Sequence, residues 1–221
     1  MATAGRTRLP PAIEYPTTDG KPMAETDDHR ELMVALIETL KRRHAPDPDF
    51  YLSGSLLIYY VEGDKHRHVS PDVFAVPGVG KHNRDYYLLW EEGKSPALVI
   101  ELTSASTKDE DLNVKFLLYQ DVLKVKEYFL FDPHAEYLDP PLQGFRLSRG
   151  RYVPIKPVKD RLSSKVLDLH LERNGKELRL YDPATKKWLP TPQEALSEAE
   201  AQIERLRQEL EALKQRQADG Q

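Results

Sequence analysis

The chain contains no cysteine. Disulfides, thiolate metal sites and thiol nucleophiles are therefore excluded together, and the composition fits a reducing compartment. No long apolar run is present, so no membrane span is expected. The opening stretch "MATAGRTRLPPAIEYP" lacks the apolar segment of a secretory signal, and a cytoplasmic chain is the expectation. A basic excess is missing as well: 32 Lys and Arg stand against 36 Asp and Glu, a net charge of −4. The strong positive footprint of many nucleic-acid binders is thus absent. Local basic clusters do occur at Lys41–His44, Lys65–His68 and around Lys81, His82 and Arg84. They read as solvated surface or as phosphate contacts, and alone decide nothing. The zinc pattern H-E-x-x-H and the serine elbow G-x-S-x-G are missing. "PGVGK" has Gly78, Gly80 and Lys81 at the wrong spacing for a P-loop.

What is present suits one sizeable domain with an appendage in 221 residues. Residues 1–22 read as an extended arm rich in Pro, Thr and Gly, 23–190 as the domain, and 191–221 as a terminal helix. From Thr26, Leu32, Met33, Leu36, Ile37 and Leu40 recur at helical intervals, until Pro46 and Pro48 stop the pattern. Strand-length apolar runs follow: "FYLSGSLLIYY", "VSPDVFAV" and "PALVIELTS". The helix "TKDEDLNVKFLLYQDVL", with Thr107 as N-cap and Asp109, Glu110 and Asp111 at its positive end, precedes the strand "KEYFLFDP". Beyond it the pattern is β, with a turn at Arg149-Gly150. Thr191, Pro192 and Glu194 open the last helix as a capping box. Leu196, Ala199, Ile203, Leu206, Leu210 and Leu213 then alternate spacings of three and four, a heptad seam with charged flanks. That seam either pairs with a copy of itself or lies on its own domain.

Three polar residues stand where apolar ones belong. Asp72 interrupts "VSPDVFAV" and Glu101 interrupts "PALVIELTS". On a strand, Val99, Glu101 and Thr103 share one face. Two carboxylates brought together repel unless one is protonated or a cation lies between them, and a hard divalent ion resolves the conflict with oxygen ligands. On a wheel of roughly 100° per residue, Leu112, Phe116, Leu118, Tyr119, Val122 and Leu123 form one arc, with Lys115 inside it. The lysine either snorkels to the rim or points its ammonium at the two acids. There it could orient a water, titrate with a lowered pKa, or neutralise charge on a phosphate.

In this order the motifs "SPDVFAV", "VIELTSAST" and "DLNVKFLLYQDVLKVKEYFLFDP" resemble the PD-(D/E)XK nuclease superfamily. More closely they resemble its large bacterial branch of Uma-type restriction endonucleases. The resemblance runs from about Tyr15 to about Pro190 and includes "KPMAETDDHRELM", "PPLQGFRL" and "LRLYDPAT". It implies an α/β fold: a restriction-endonuclease-like mixed β-sheet flanked by helices, with a β-rich extension and a C-terminal helix. It implies metal ligation by Asp72, Glu101 and the backbone carbonyl of Leu102, with Mg²⁺ as the ion and Mn²⁺ as a substitute. Thr103 replaces the lysine expected two positions after Glu101, and Lys115 occupies the alternative position on the next helix. Ala105 stands where relatives often have Pro or Lys. Glu25 and His29 lie four apart on the first helix, at positions that in the family look out on the metal. His29 otherwise reads as a core or capping residue, and Tyr119 as a further pocket hydroxyl or as packing.

The expected function is metal-assisted hydrolysis of DNA phosphodiesters, catalysed by Asp72, Glu101 and Lys115, in a homodimer with a possible partner at the terminal helix. The alternative is a nuclease fold kept for DNA binding or protein interaction, which Thr103, the weak positive charge and the coiled-coil-like tail favour. A metal hydrolase acting on a small phosphoester is the third reading.

Overall fold

The computed structural model describes residues 14–18 and 26–219. Helix α1 (Asp27–Arg43) starts at Thr26, whose side chain accepts the His29 N–H at 3.2 Å. Asp27 and Asp28 occupy its first turn and Lys41, Arg42 and Arg43 its last, which is the arrangement the helix dipole favours. Met33, Leu36 and Leu40 form its buried face. Glu25 and most of the expected N-terminal arm lie outside the described residues.

The apolar run at 50–60 divides into two strands, β1 (Phe50–Ser53) and β2 (Ile58–Tyr59). The break has a tertiary cause. Gly54 passes so close to the Asp72 backbone that a Cβ would fall 1.9 Å from the Asp72 carbonyl oxygen. Ser55 then turns with φ of 48° and donates its N–H to the Pro71 carbonyl at 2.9 Å. Strand β2 joins β3 (His68–Val69) and β5 (Tyr87–Leu88) in a small sheet. The short helix α2 (Leu89–Glu92) comes next, with Trp90 half-buried 5.4 Å from the Tyr15 ring.

The main sheet is completed by β4 (Val73–Pro77), β6 (Leu98–Leu102), β7 (Glu127–Phe131), β8 (Leu142–Ser148) and β9 (Arg151–Pro154). Its order is β1-β4-β6-β7-β8-β9. Only β6 and β7 run parallel within it, and their crossover is the helical segment that parallel pairing requires. Side chains alternate between two cores. Val73, Ala75, Ile100, Leu102 and Phe129 face α1, whereas Phe74, Val76, Val99, Tyr128 and Leu130 face the crossover. The turn between β8 and β9 falls at Arg149-Gly150 as expected, both residues having positive φ.

A second antiparallel sheet, β10 (Arg161–Ser164), β11 (Leu169–Asn174), β12 (Glu177–Asp182) and β13 (Lys187–Trp188), closes over α1. Leu169, Leu171 and Leu180 join Met33, Leu36 and Leu40 in one core, so α1 is held between the two sheets. Buried Glu127 fastens the seam, accepting from Arg146 Nε at 2.9 Å, Ser164 Oγ at 2.6 Å and the Lys165 N–H at 2.9 Å. The result is the mixed α/β architecture expected.

The crossover departs from a plain α-helix. Glu110–Lys115 and Leu118–Val122 wind as π-helix, and the Leu123 N–H reaches back five residues to the Leu118 carbonyl at 3.0 Å. Each π turn takes in an extra residue and rotates the rest of the helix about its axis. Val122, placed in the apolar arc on an α-helical wheel, is consequently 55% exposed. Gln120 turns inward instead, accepting the Tyr152 N–H at 2.7 Å.

The last helix, α3 (Pro192–Asp219), opens with the expected capping box. Thr191 N–H donates to Glu194 Oε2 at 2.8 Å, and Glu194 N–H to Thr191 Oγ1 at 3.2 Å. Among the described residues no helix is long and apolar enough to cross a membrane.

Candidate active site

The site grows out of the β4–β6 pairing. Val73 faces Ile100 across that antiparallel ladder, so the next pair outward is Asp72 and Glu101, on the sheet face that carries Phe74 and Val99. Asp72 therefore stands one residue before β4 rather than within it. The two acids are tied through each other's backbone. Asp72 N–H donates to Glu101 Oε2 at 3.2 Å, and Leu102 N–H donates to Asp72 Oδ2 at 2.7 Å.

The π-wound crossover packs on this face and delivers a column of residues four apart. Lys115 Nζ lies 3.2 Å from Glu101 Oε1 and 2.9 Å from Asp111 Oδ1. Tyr119 donates its hydroxyl to Glu101 Oε1 at 2.6 Å. From the opposite side, α1 brings His29 Nε2 to 3.3 Å from Asp72 Oδ1. Of the residues expected from sequence, Asp72, Glu101, Lys115, Tyr119 and His29 thus meet in one cluster. Thr103 is buried just beyond β6, and no hydrogen bond links its hydroxyl to the cluster. Its backbone N–H goes to the Phe131 carbonyl.

Asp111 belongs to the cluster and was not singled out by the sequence. It sits in a trio of acids at a helix start, where the dipole accounts for any of them. Its distinguishing sign is the four-residue spacing to Lys115, and in the structure it is buried, at 1% exposure.

Burial is graded. Glu101 and Tyr119 are fully enclosed, while the side chains of Asp72 and His29 keep 17% and 15% of their exposure and form the mouth. Three carboxylates face a single lysine. With the acids ionised and the imidazole neutral, two negative charges are in excess, the amount one divalent cation would cancel. Without such an ion, burial pushes the Glu101 carboxyl up to about 8, against the pull of the Lys115 ammonium and with the help of Asp72 and Asp111. Asp111 is also raised, again chiefly by burial. For Lys115 burial works to lower the pKa, but the charges of Glu101, Asp111 and Asp72 win and hold it above the ordinary value. The surrounding carboxylates thus favour the charged form of the lysine. Asp132 differs: it resists the upward push of burial because the N–H groups of Tyr137, Leu138 and His134 bind it, and it stays below its usual value.

A raised carboxyl makes stability depend on pH in a definite direction. Glu101 folds at no charge cost below its unfolded pKa near 4.5, and stability is lost as pH climbs through about 8. In metal-free buffer, Glu101→Gln should gain stability relative to wild type between pH 5 and 9, by on the order of a few kcal/mol. Thermal melts of both chains across that range check it. A constant difference would contradict the burial argument.

A family model described as "Putative restriction endonuclease" (Uma2) matches residues 7–180. No curated protein matches the chain. Among solved structures, one described as "a putative nuclease belonging to DUF820 from Anabaena variabilis" aligns at 16% identity with a TM-score of 0.47, covering 71% of this chain and 85% of that one. The family match spans most of the sequence, and the chain belongs to the Uma2 restriction-endonuclease family.

Proposed function

We propose that the protein is a metal-dependent endodeoxyribonuclease that hydrolyses phosphodiester bonds in DNA. The observation that carries this reading is the charge surplus of the cluster: the Lys115 ammonium contacts Glu101 and Asp111, and Asp72 is tied to Glu101 from the adjacent strand. Mg²⁺, with Mn²⁺ as a substitute, is the partner such a surplus calls for, because it takes oxygen ligands from one or two carboxylates and keeps several waters. Among the described residues no three His, Asp or Glu side chains form a ready cage, so the set on offer is two carboxylates completed by water. Asp72 and Glu101 would hold the ion, and family resemblance adds the Leu102 carbonyl. When bound, the cation supplies Lewis-acid stabilisation and a more acidic water.

The chain's own residues do the rest. Tyr119 and Lys115 hold Glu101 in one orientation, and Leu102 N–H with His29 holds Asp72. Fixed in that way, the carboxylates need no reorganisation during reaction. Lys115 stays protonated and places positive charge where the phosphoryl oxygens gain negative charge, a stabilisation that grows in a site shielded from water. Water forms the new bond to phosphorus, the bond to the leaving sugar oxygen breaks, and that oxygen takes up a proton. No covalent enzyme intermediate is needed.

One feature favours a second reading, a nuclease fold kept for DNA binding or protein interaction. Thr103 stands at the position of the consensus lysine and makes no hydrogen bond to the cluster. Cleavage of plasmid and oligonucleotide DNA with Mg²⁺, Mn²⁺ or chelator separates the two. The proposal expects cleavage with either ion and none with chelator. DNA association without cleavage, and no heat of Mg²⁺ or Mn²⁺ binding by calorimetry, would replace it with the second reading.

A further inference from the structure

We infer that α3 is a self-association element that pairs in parallel with the α3 of a second copy of this chain. Among the described residues nothing covers the seam residues of the sequence. Leu196, Ile203, Leu206, Leu210 and Leu213 are each 50–56% exposed, and Ala199 between them is exposed as well. The described residues therefore do not favour the reading in which the helix lies along its own domain. Such a stripe of five large apolar side chains on one solvent-facing helix is a surface that monomers seldom leave open.

The root of the helix is fastened. Arg179 grips Glu194 with two bonds, Nη1 to Oε1 at 3.0 Å and Nη2 to Oε2 at 2.9 Å, and Arg42 bonds the Pro190 carbonyl just before the capping box. Twenty-eight helical residues then extend about 42 Å from that anchor. A rod held at one end presents its stripe in a fixed direction.

Charge on the flanks identifies a second copy as the occupant. Leu196, Ile203 and Leu210 take the a positions and Ala199, Leu206 and Leu213 the d positions. Glu209 then lies at g and Lys214 at the e position five residues on, the pair that meets across a parallel two-stranded seam. Two-fold symmetry supplies that pair twice. The other g–e combinations, Gln202 with Arg207 and Ala195 with Glu200, oppose no like charges. Ile203 at a with Leu206 and Leu213 at d is the packing that parallel dimers prefer, while Leu196 and Leu210 at a and Ala199 at d add contact without that preference. At fewer than three heptads the pairing is weak enough to be read at tens of micromolar.

Sedimentation equilibrium of the full chain tests this, with circular dichroism as the control for folding. Wild type is expected to be dimeric at tens of micromolar, and Ile203→Glu with Leu206→Glu monomeric with an unchanged spectrum. Glu209→Lys alone should raise the dissociation constant about tenfold, from two attractive contacts turned repulsive. Adding Lys214→Glu to it should restore the wild-type value. A wild-type chain that stays monomeric, or a dimer indifferent to the Ile203 and Leu206 changes, would overturn the inference. A dimer that loses nothing with Glu209→Lys would overturn the parallel arrangement. None of these outcomes depends on whether the chain cleaves DNA.

Discussion

Glu101→Gln is expected to lower metal-dependent DNA cleavage by roughly a thousandfold, the scale on which removing one preorganised electrostatic contact is felt. The substitution keeps the shape and leaves an oxygen to accept from Tyr119, which donates to Oε1 at 2.6 Å in the wild type. What it removes is the charge in the most enclosed position of the cluster, out of contact with bulk solvent. With Glu101 neutral, one negative charge remains in excess around Lys115, and a divalent ion is held less tightly. Asp72→Asn should have a comparable effect on cleavage and leave folding nearly untouched, because Asp72 sits at the mouth. Single-turnover cleavage measured over a Mg²⁺ titration reads both variants. Rates within tenfold of wild type for each would remove Asp72 and Glu101 from the reaction.

Gly54→Ala is expected to cost about 3 kcal/mol of stability, and to lower cleavage about a hundredfold in whatever fraction remains folded. A Cβ there would stand 1.9 Å from the Asp72 carbonyl oxygen and 2.7 Å from Ile37 Cδ1. The first of these atoms is backbone and has no rotamer to retreat into. Relief must come from moving Asp72 itself, along with the Ser55–Pro71 bond that pins this crossing. A displacement of about 1 Å in a group that takes part in the reaction is enough for a hundredfold loss in rate. Denaturant unfolding gives the first number and cleavage at a fixed folded fraction gives the second. Wild-type values for both would mean that the two backbones do not approach so closely.

Gly54 also marks where reading the sequence stops. Nothing local in "YLSGSLL" announces that another strand's carbonyl passes over the glycine, because the constraint comes from residues eighteen positions away. The three anomalies that were legible share a different property. Asp72, Glu101 and Lys115 each contradict the apolar pattern of their own element, so a local rule is broken and the break is visible. Helix α1 and the Arg149-Gly150 turn were legible for the opposite reason, since cap, periodicity and turn chemistry agree there. Asp111 was hidden because it obeys a local rule, an acid at a helix start, while serving a tertiary one. The π winding was hidden too: a fixed angle per residue assigns Val122 to the core, whereas it is exposed and Gln120 is buried. The closure of the second sheet over α1 rests on leucines alternating along β11 and β12. Their strand pattern can be read from the sequence, but their destination cannot.

The central claim is that Asp72 and Glu101 share a divalent cation. Its most direct measurement is a crystal of the full chain soaked in Mn²⁺, with diffraction recorded at the manganese edge. The account predicts an anomalous peak between the carboxylate oxygens of Asp72 and Glu101, absent in crystals of Glu101→Gln soaked identically. Density that is empty at that point in the wild type, or manganese bound only elsewhere on the surface, would contradict it.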